Sequence, residues 1–180
     1  MDNDILVRKL EDARSPAREK RRGEGRPGGP AGGGAPSYYD LIALGAQKPV
    51  FSSDLLEFWC PLGSFPPYRE GYDVGLCRIK KKFTEFDRME RHLNSVEVIV
   101  PINGDLFIPV APPGGSPSLE DVRIITVRVG EMLNLHEGVW HFACGPLRKV
   151  PLDYFVCLKR NTPAADLEMK ELPKKVRVAK

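Results

Sequence analysis

The sequence is poor in cysteine and has no long apolar run. Its four cysteines are widely separated and form no CxxC pair, the spacing that is typical of zinc fingers and redox sites. We therefore expect reduced, mostly buried thiols in a cytoplasmic protein. A membrane span would need about 18 consecutive apolar residues, and the chain contains no such stretch. The N-terminal MDNDILVRKL also lacks an apolar segment of signal-peptide length, so the sequence predicts no membrane partner.

The sequence also lacks a large excess of either charge. Lys and Arg total 27 and Asp and Glu total 24, which gives a formal net charge of +3. This excess is too small to attract the whole molecule to a polyanion. We therefore do not expect a nucleic-acid partner.

The composition divides the chain into three segments. Residues 1–37 join a charged stretch to a Gly/Pro-rich one, in which ten of the fourteen residues from Gly23 to Pro36 are Gly or Pro. Such a segment buries too little apolar surface to offset the entropy of ordering, so we predict a disordered tail. We predict one β-barrel domain over residues 38–163 and a charged, exposed tail over residues 164–180.

Within the central segment, short apolar stretches alternate with turn residues, which favours an all-β sandwich or barrel. Five stretches have strand length and β-branched or aromatic content: Val96–Val100, Leu106–Ala111, Val122–Val129, Glu131–Leu135 and Tyr154–Leu158. A helix is expected only near Tyr39–Leu44, together with a helical turn at Leu119–Val122.

Two of these strands are apolar on both faces. A strand of a monomeric sandwich usually has one polar face, but Val96–Val100 and Leu106–Val110 have none. Cover by a second subunit or by residues 38–82 would explain the pattern. A symmetric homodimer is the partner arrangement that we expect.

All three histidines lie in the two segments that contain the clearest strands. Side chains alternate along a strand, so Glu90 and His92 share one face, and the turn that follows folds Glu97 back across from them. A second strand, turn and strand would bring His136 and His141 close together. The two segments therefore predict a site that binds a metal or moves protons.

The spacing of these residues resembles the two motifs of the cupins. The pattern H-x4-E-x6-G runs from His92 to Gly104, and G-x5-H-x-G-x2-H runs from Gly130 to His141. The resemblance implies a cupin-type double-stranded β-helix, a jelly-roll barrel. Glu90 stands where many metallocupins have another histidine.

A finer resemblance is to the ureidoglycolate lyases, which split ureidoglycolate into glyoxylate and urea. It covers about half of the chain and rests on four stretches: Met89–His92, Val100–Asp105, Leu133–His141 and Asp153–Phe155. Glu97 departs from the family because the lyases generally have glutamine there. A carboxylate makes the site more anionic and a better host for a divalent cation. Residues 38–82 do not align with the family, so no substrate-binding residue is carried over from that part.

The resemblance and the chemistry of the side chains together assign roles. Proton transfer is assigned to His136, His141 and Glu90, and ligation of a divalent metal of unknown identity to His92, Glu97, His141 and Glu90. Arg91, Trp140 and Lys82 are candidates for binding a small-molecule substrate, with surface ion pairing or core packing as their alternatives. No organic cofactor is expected. Two other functions remain open: a metal-dependent cupin with different small-acid chemistry, and a cupin that only binds a small ligand.

Overall fold

The computed structural model describes residues 6–11, 38–43, 48–49, 51–52, 57–58 and 66–179. Nearly all of the regular structure is strand. The strands are β1 (Leu6–Glu11), β2 (Tyr39–Ala43), β3 (Phe51–Ser52), β4 (Glu57–Phe58), β5 (Tyr72–Ile79), β6 (Glu85–Arg91), β7 (Glu97–Pro101), β8 (Leu106–Ala111), β9 (Arg123–Val127), β10 (Glu131–Leu135), β11 (Trp140–His141), β12 (Gly145–Pro146), β13 (Leu152–Lys159) and β14 (Glu168–Ala179). One short helix, α1 (Thr162–Ala165), precedes β14.

The strands form two large sheets. The first has seven strands in the order β11-β6-β14-β1-β9-β8-β12, and an additional pairing of β11 with β8 joins its strands into a closed circuit. The second has the order β2-β10-β7-β13-β5, and β3 and β4 form a two-stranded sheet. All pairings are antiparallel except those of β1, which runs parallel to both β14 and β9. The prediction of an all-β, cupin-type jelly roll is confirmed.

Strand β8 is buried on both faces because it separates two apolar clusters. Leu106, Ile108 and Val110 point to a cluster that is shared by the two sheets. Phe107 and Ala111 point to a second cluster, which is built from strands of the seven-stranded sheet and their connections. The chain itself therefore covers the second face of β8. The apolar pattern of β8 therefore does not require a partner subunit, and the homodimer remains a prediction.

The prediction of an exposed C-terminal tail is wrong for residues 168–179, because these residues form β14. This strand pairs with β6 and with β1, and its Leu172 and Val176 belong to the second cluster. The inward positions at the start of the strand are occupied by Glu168 and Lys170. These charged residues hide the alternation that would have predicted a strand from the sequence.

Two expectations for the N-terminal part also differ from the structure. Residues 6–11 form β1 between β14 and β9, so the predicted disorder of residues 1–37 is wrong there, and residues 12–37 lie outside the described residues. The helix predicted near Tyr39–Leu44 is a strand, β2, over Tyr39–Ala43. Its alternate residues Tyr39 and Leu41 pack on the shared cluster, and this packing outweighs the weak helical preference.

The remaining predictions concern the cysteines, a turn and the membrane. Cys77, Cys144 and Cys157 are free thiols, as expected, and Cys60 lies outside the described residues. Where the sequence predicted a helical turn at Leu119–Val122, the structure has a turn but no helix, and the backbone oxygen of Ser118 accepts a hydrogen bond from the backbone N–H of Asp121. Within the described residues, no helix has the length and apolar character needed to cross a membrane.

Candidate active site

Three neighbouring strands bring the acidic and imidazole groups together. Glu90 lies near the end of β6 and His92 follows that strand, while Glu97 begins β7 after a short turn. On β11, His141 is the cross-strand partner of Glu90 on one side and of Val110 on the other. Alternation along β6 and the turn before β7 place Glu90, His92 and Glu97 on the inner side of the barrel wall, and the pairing of β11 with β6 adds His141 to them.

The four groups form a tight cluster, which we call the His–Glu cluster (Glu90, His92, Glu97 and His141). His141 Nε2 lies 3.0 Å from Glu97 Oε2 and 3.8 Å from Glu90 Oε1, and His92 Nε2 lies 3.7 Å from Glu97 Oε2. One ligand atom from each of His92, Glu97 and His141 lies within 4.8 Å of the other two. The spacing is that of three ligands arranged around one point.

The hydrogen bonds of the two imidazoles assign their tautomers. His92 Nδ1 lies 2.6 Å from the backbone oxygen of Asp166, and His141 Nδ1 lies 3.0 Å from that of Val139. A carbonyl oxygen only accepts hydrogen bonds, so each Nδ1 carries the proton. When it is neutral, each imidazole therefore presents the lone pair of Nε2 toward Glu97. Histidines that bind metals commonly donate their other N–H to a backbone carbonyl in this way.

Two polar atoms at the centre of the cluster lack an aligned partner. Glu97 Oε2 and His141 Nε2 are both buried, and neither makes a hydrogen bond although only 3.0 Å separates them. Buried polar atoms without a partner are costly. Two nitrogen donors and one carboxylate that face a common point fit a divalent cation such as Zn²⁺ or Mn²⁺.

Burial and mutual attraction act in opposite directions on the central pair. Burial alone would raise the pKa of Glu97, but His141 and then His92 outweigh it, so the pKa lies below its ordinary value. Burial alone would lower the pKa of His141, but the Glu97 carboxylate outweighs it and the pKa is raised. Without a metal, the two groups form a buried ion pair. A bound cation would take the place of the imidazolium proton.

Glu90 differs from the other members of the cluster in its exposure. The side chain of Glu90 is 32% exposed, against 13% for Glu97 and 5% for His141. Glu90 is therefore the member that solvent and a substrate reach first. Its contact with the rest of the cluster is with His141, 3.8 Å away.

The structure does not bring His136 into the cluster. Its Nε2 lies 2.9 Å from Asp40 Oδ2 on β2, and its side chain is 38% exposed. His136 follows the inward-facing Leu135 directly, so alternation turns its side chain the other way. The sequence prediction that His136 and His141 come close together is not met, and His136 has no contact with the other candidates.

Arg91 and Trp140 also face away from the cluster. Trp140 is fully buried in the second apolar cluster, and its indole N–H donates to the backbone oxygen of Gly114. The Arg91 guanidinium lies 4.4 Å from the Trp140 ring centroid, pairs with Glu168 at 2.6 Å and donates to the same Gly114 oxygen. These contacts pack Arg91 against Trp140 and hold the loop that contains Gly114. They do not support the substrate-binding role that the sequence suggested.

Lys82 is exposed in the connection that leads to β6. Among the contacts of the described residues, none joins Lys82 to the His–Glu cluster. The sequence-based role of Lys82 in substrate binding therefore has no support from the geometry.

Sequence reasoning missed two residues of the inner wall, Tyr154 and Cys144. Tyr154 pairs across strands with Cys77 and packs on the shared cluster, to which Cys144 belongs. Burial, followed by neighbouring groups that include Glu97, raises the pKa of both side chains, so both stay protonated and neutral. From the sequence, only the place of Tyr154 in a predicted strand could have indicated that it faces the interior. Its neighbours Cys77 and Cys144 come from other parts of the chain, and no local pattern predicts these contacts.

Comparisons with known proteins identify the family of the chain. The family model described as ureidoglycolate lyase matches residues 64–179, so the expectation that residues 38–82 do not align with the family is wrong for residues 64–82. A ureidoglycolate lyase of Azotobacter vinelandii is 41% identical over 54 residues, which are 29% of this chain and 32% of that protein. The match thus spans about a third of the length of that relative.

Two solved structures illustrate the partial structural similarity of this chain to known enzymes. A variant of the Bacillus subtilis oxalate decarboxylase has a TM-score of 0.41 and 14% identity over 57% of this chain and 24% of its own. A variant of a 3,4-ketoisomerase from Thermoanaerobacterium thermosaccharolyticum has a TM-score of 0.46 and 15% identity over 73% and 86%. The family match, by contrast, covers well over half of the chain and contains the whole His–Glu cluster. The chain belongs to the ureidoglycolate lyase family.

Proposed function

We propose that the protein is a lyase that cleaves ureidoglycolate, or a closely related small hydroxy or ureido acid, at the His–Glu cluster. One observation carries the proposal: in a chain of this family, His92, Glu97 and His141 converge within 4.8 Å on the inner side of the barrel wall. The more exposed Glu90 stands beside them, 3.8 Å from His141.

The reaction requires a group that moves one proton. Ureidoglycolate is a carbinolamide, in which one carbon carries a hydroxyl, a carboxylate and the nitrogen of a ureido group. Loss of the hydroxyl proton lets the oxygen form a carbonyl while the carbon–nitrogen bond breaks and its electron pair goes to nitrogen. The nitrogen then takes up a proton, and the products are glyoxylate and urea.

Glu90 is suited to move that proton. Its carboxylate is accessible, and it accepts the hydroxyl proton and then returns it to the departing nitrogen. His141 lies beside Glu90 and also contacts Glu97. The protonation of His141 therefore depends on the charge of these carboxylates. The neutral Tyr154 and Cys144 line the inner wall on the Glu97 side and keep that side free of further charge.

A divalent cation fits the proposal because the cluster is anionic. His92, Glu97 and His141 would hold the ion, which would supply positive charge for the hydroxyl and carboxylate oxygens of the substrate. In the part of the chain that the structure describes, no Lys or Arg is paired with Glu90 or Glu97, and Arg91 is engaged by Glu168. A carboxylate substrate should therefore bind poorly to the metal-free protein.

The test is a coupled assay of urea and glyoxylate release from ureidoglycolate. The purified protein is assayed as isolated, after treatment with a chelator, and after addition of Mn²⁺. We expect activity that the chelator removes and Mn²⁺ restores. His141→Ala should abolish it. His136→Ala is the matched control and should retain it, because its imidazole lies against Asp40. Absence of urea release from the metal-loaded protein would contradict the proposal, as would full activity of His141→Ala.

A second candidate is a metal-dependent cupin with different small-acid chemistry. Glu97 favours it because a carboxylate replaces the glutamine that is general in the lyases and completes a set of ligands. Stoichiometric bound metal without urea release would select this candidate. Binding of a small acid without turnover, unaffected by His141→Ala, would instead select a protein that only binds its ligand.

Two further expectations belong to this proposal. The free thiols of Cys77, Cys144 and Cys157 favour a reducing compartment such as the cytoplasm. We also expect a symmetric homodimer, which sedimentation or light scattering would test.

A further inference from the structure

We infer that Asp166 is a positioning residue of the His–Glu cluster, which fixes His92 in the tautomer that can bind a metal. Asp166 lies between α1 and β14, in the segment that sequence analysis assigned to an exposed tail. The inference deepens the proposed function because it rests on the same site, but it does not depend on which substrate the site takes.

Asp166 contacts His92 through its backbone. The carbonyl oxygen of Asp166 lies 2.6 Å from His92 Nδ1 and accepts a hydrogen bond from the N–H of this nitrogen. A free histidine side chain favours the other tautomer, with the proton on Nε2. In that tautomer a hydrogen would occupy the space between His92 and Glu97, where a cation would have to lie. The Asp166 carbonyl thus selects the tautomer that leaves Nε2 free.

The side chain of Asp166 holds the turn that follows His92. Its two carboxylate oxygens accept hydrogen bonds from the backbone N–H groups of Leu93, at 2.9 Å, and Asn94, at 2.7 Å. The Asn94 side chain adds a third contact at 3.3 Å. Hydrogen bonds to a charged acceptor are stronger than those between neutral groups. The carboxylate therefore ties the Asp166 backbone to the chain that carries His92.

Asp166 is in turn anchored by its own neighbours. Its backbone N–H donates to the oxygen of Thr162 at 2.9 Å, and β14 begins two residues later. Docking of the C-terminal strand and the orientation of His92 are therefore connected. Groups that orient a metal ligand in this way typically raise metal affinity by about 10–100-fold.

His141 provides an internal comparison for this effect. Its Nδ1 donates to the backbone oxygen of Val139, only two residues away, so this hydrogen bond does not involve the segment that contains Asp166. Loss of the Asp166 side chain should loosen the hold on His92 and leave His141 as it is. A general loss of structure would affect both imidazoles.

The test is a nitrogen–proton NMR correlation of the histidine rings in the metal-free full-length protein, at alkaline pH where neutral imidazoles dominate. In the native chain we expect the Nδ1–H pattern for both His92 and His141. In Asp166→Ala we expect the His92 signals to move toward the Nε2–H pattern while those of His141 stay. Calorimetric titration with Mn²⁺ should show an affinity lower by on the order of tenfold.

Asp153→Ala is the matched control. Asp153 organises the turn at the other end of β7 through Asn103, but it contacts neither imidazole. We expect its ring signals and Mn²⁺ affinity to match those of the native chain. Asp166→Asn keeps one acceptor oxygen and should give intermediate values, which allows the test to proceed if Asp166→Ala does not fold.

Three results would overturn the inference: an Nε2–H pattern for His92 in the native chain, an unchanged pattern in folded Asp166 variants, or an equal loss of Mn²⁺ affinity in Asp153→Ala. None of these readouts requires turnover. An inactive protein with the expected ring signals would refute the proposed lyase and leave the role of Asp166 standing.

Discussion

Replacing Glu97 by glutamine is the sharpest test of the proposed metal site, because it restores the residue that is general among the lyases. The change keeps the size of the side chain and one oxygen, and it removes one of the two negative charges of the His–Glu cluster. Glu97 is only 13% exposed, so solvent screens its charge weakly. Two opposite unit charges 4 Å apart attract by about 4 kcal/mol at an effective dielectric constant of 20.

Most of that attraction is offset by the hydration that a cation loses on binding. We therefore expect a net loss of about 1.4 kcal/mol or more, which is about tenfold in Kd. At a metal concentration 100-fold above Kd, binding stabilises the native chain by about 2.7 kcal/mol, and a tenfold weaker Kd reduces this to about 1.4 kcal/mol. For a domain of this size, the rise in Tm should fall from about 5–10 °C to about 3–5 °C.

The assay is thermal unfolding of the metal-free protein over a titration with MnCl₂, together with calorimetry for Kd. Glu120→Gln, which changes an exposed carboxylate in the turn before β9, is the matched control and should behave as the native chain does. An equal Kd for the native chain and Glu97→Gln would refute the view that the Glu97 charge serves a cation.

Three further predictions concern the C- and N-terminal strands. Leu172→Ala should lower the free energy of unfolding by about 2–5 kcal/mol in urea denaturation, because it removes a buried side chain of the second cluster; a value near zero would argue that β14 does not dock. The hydrogen bond from Arg91 holds the pKa of Glu168 below its ordinary value, so this carboxylate stabilises the fold above its unfolded pKa and loses the effect as the pH falls through the folded value. Glu168→Gln should therefore lower Tm at neutral pH but not in acid, and a difference that does not depend on pH would contradict this reasoning. Deletion of residues 1–11 should lower Tm because it removes β1 from between β14 and β9, whereas an unchanged Tm would show that β1 contributes little.

Short-range patterns in the sequence were sufficient for the centre of the barrel. The bounds predicted for β8 and β10 agree with those of the structure, because an apolar stretch bounded by turn residues marks a buried strand. Alternation along β6 and the short turn before β7 also predicted that Glu90, His92 and Glu97 would face one another. These relations depend on residues that are close in sequence, and the spacing of the motifs added His141.

The tertiary structure decided the features that depend on distant partners. His136 shares a motif with His141, but pairing of β10 with β2 brings Asp40 to its side and turns it away from the cluster. The alternation of β14 is hidden by charged residues such as Glu168, whose partner Arg91 lies 77 positions earlier in the chain. Asp166 reaches His92 across 74 residues for the same reason. The sequence by itself determined which residues could form a site, through periodicity and spacing. Which of them meet was decided by strand pairing and packing between segments that are far apart in the chain, and no local pattern encodes those contacts.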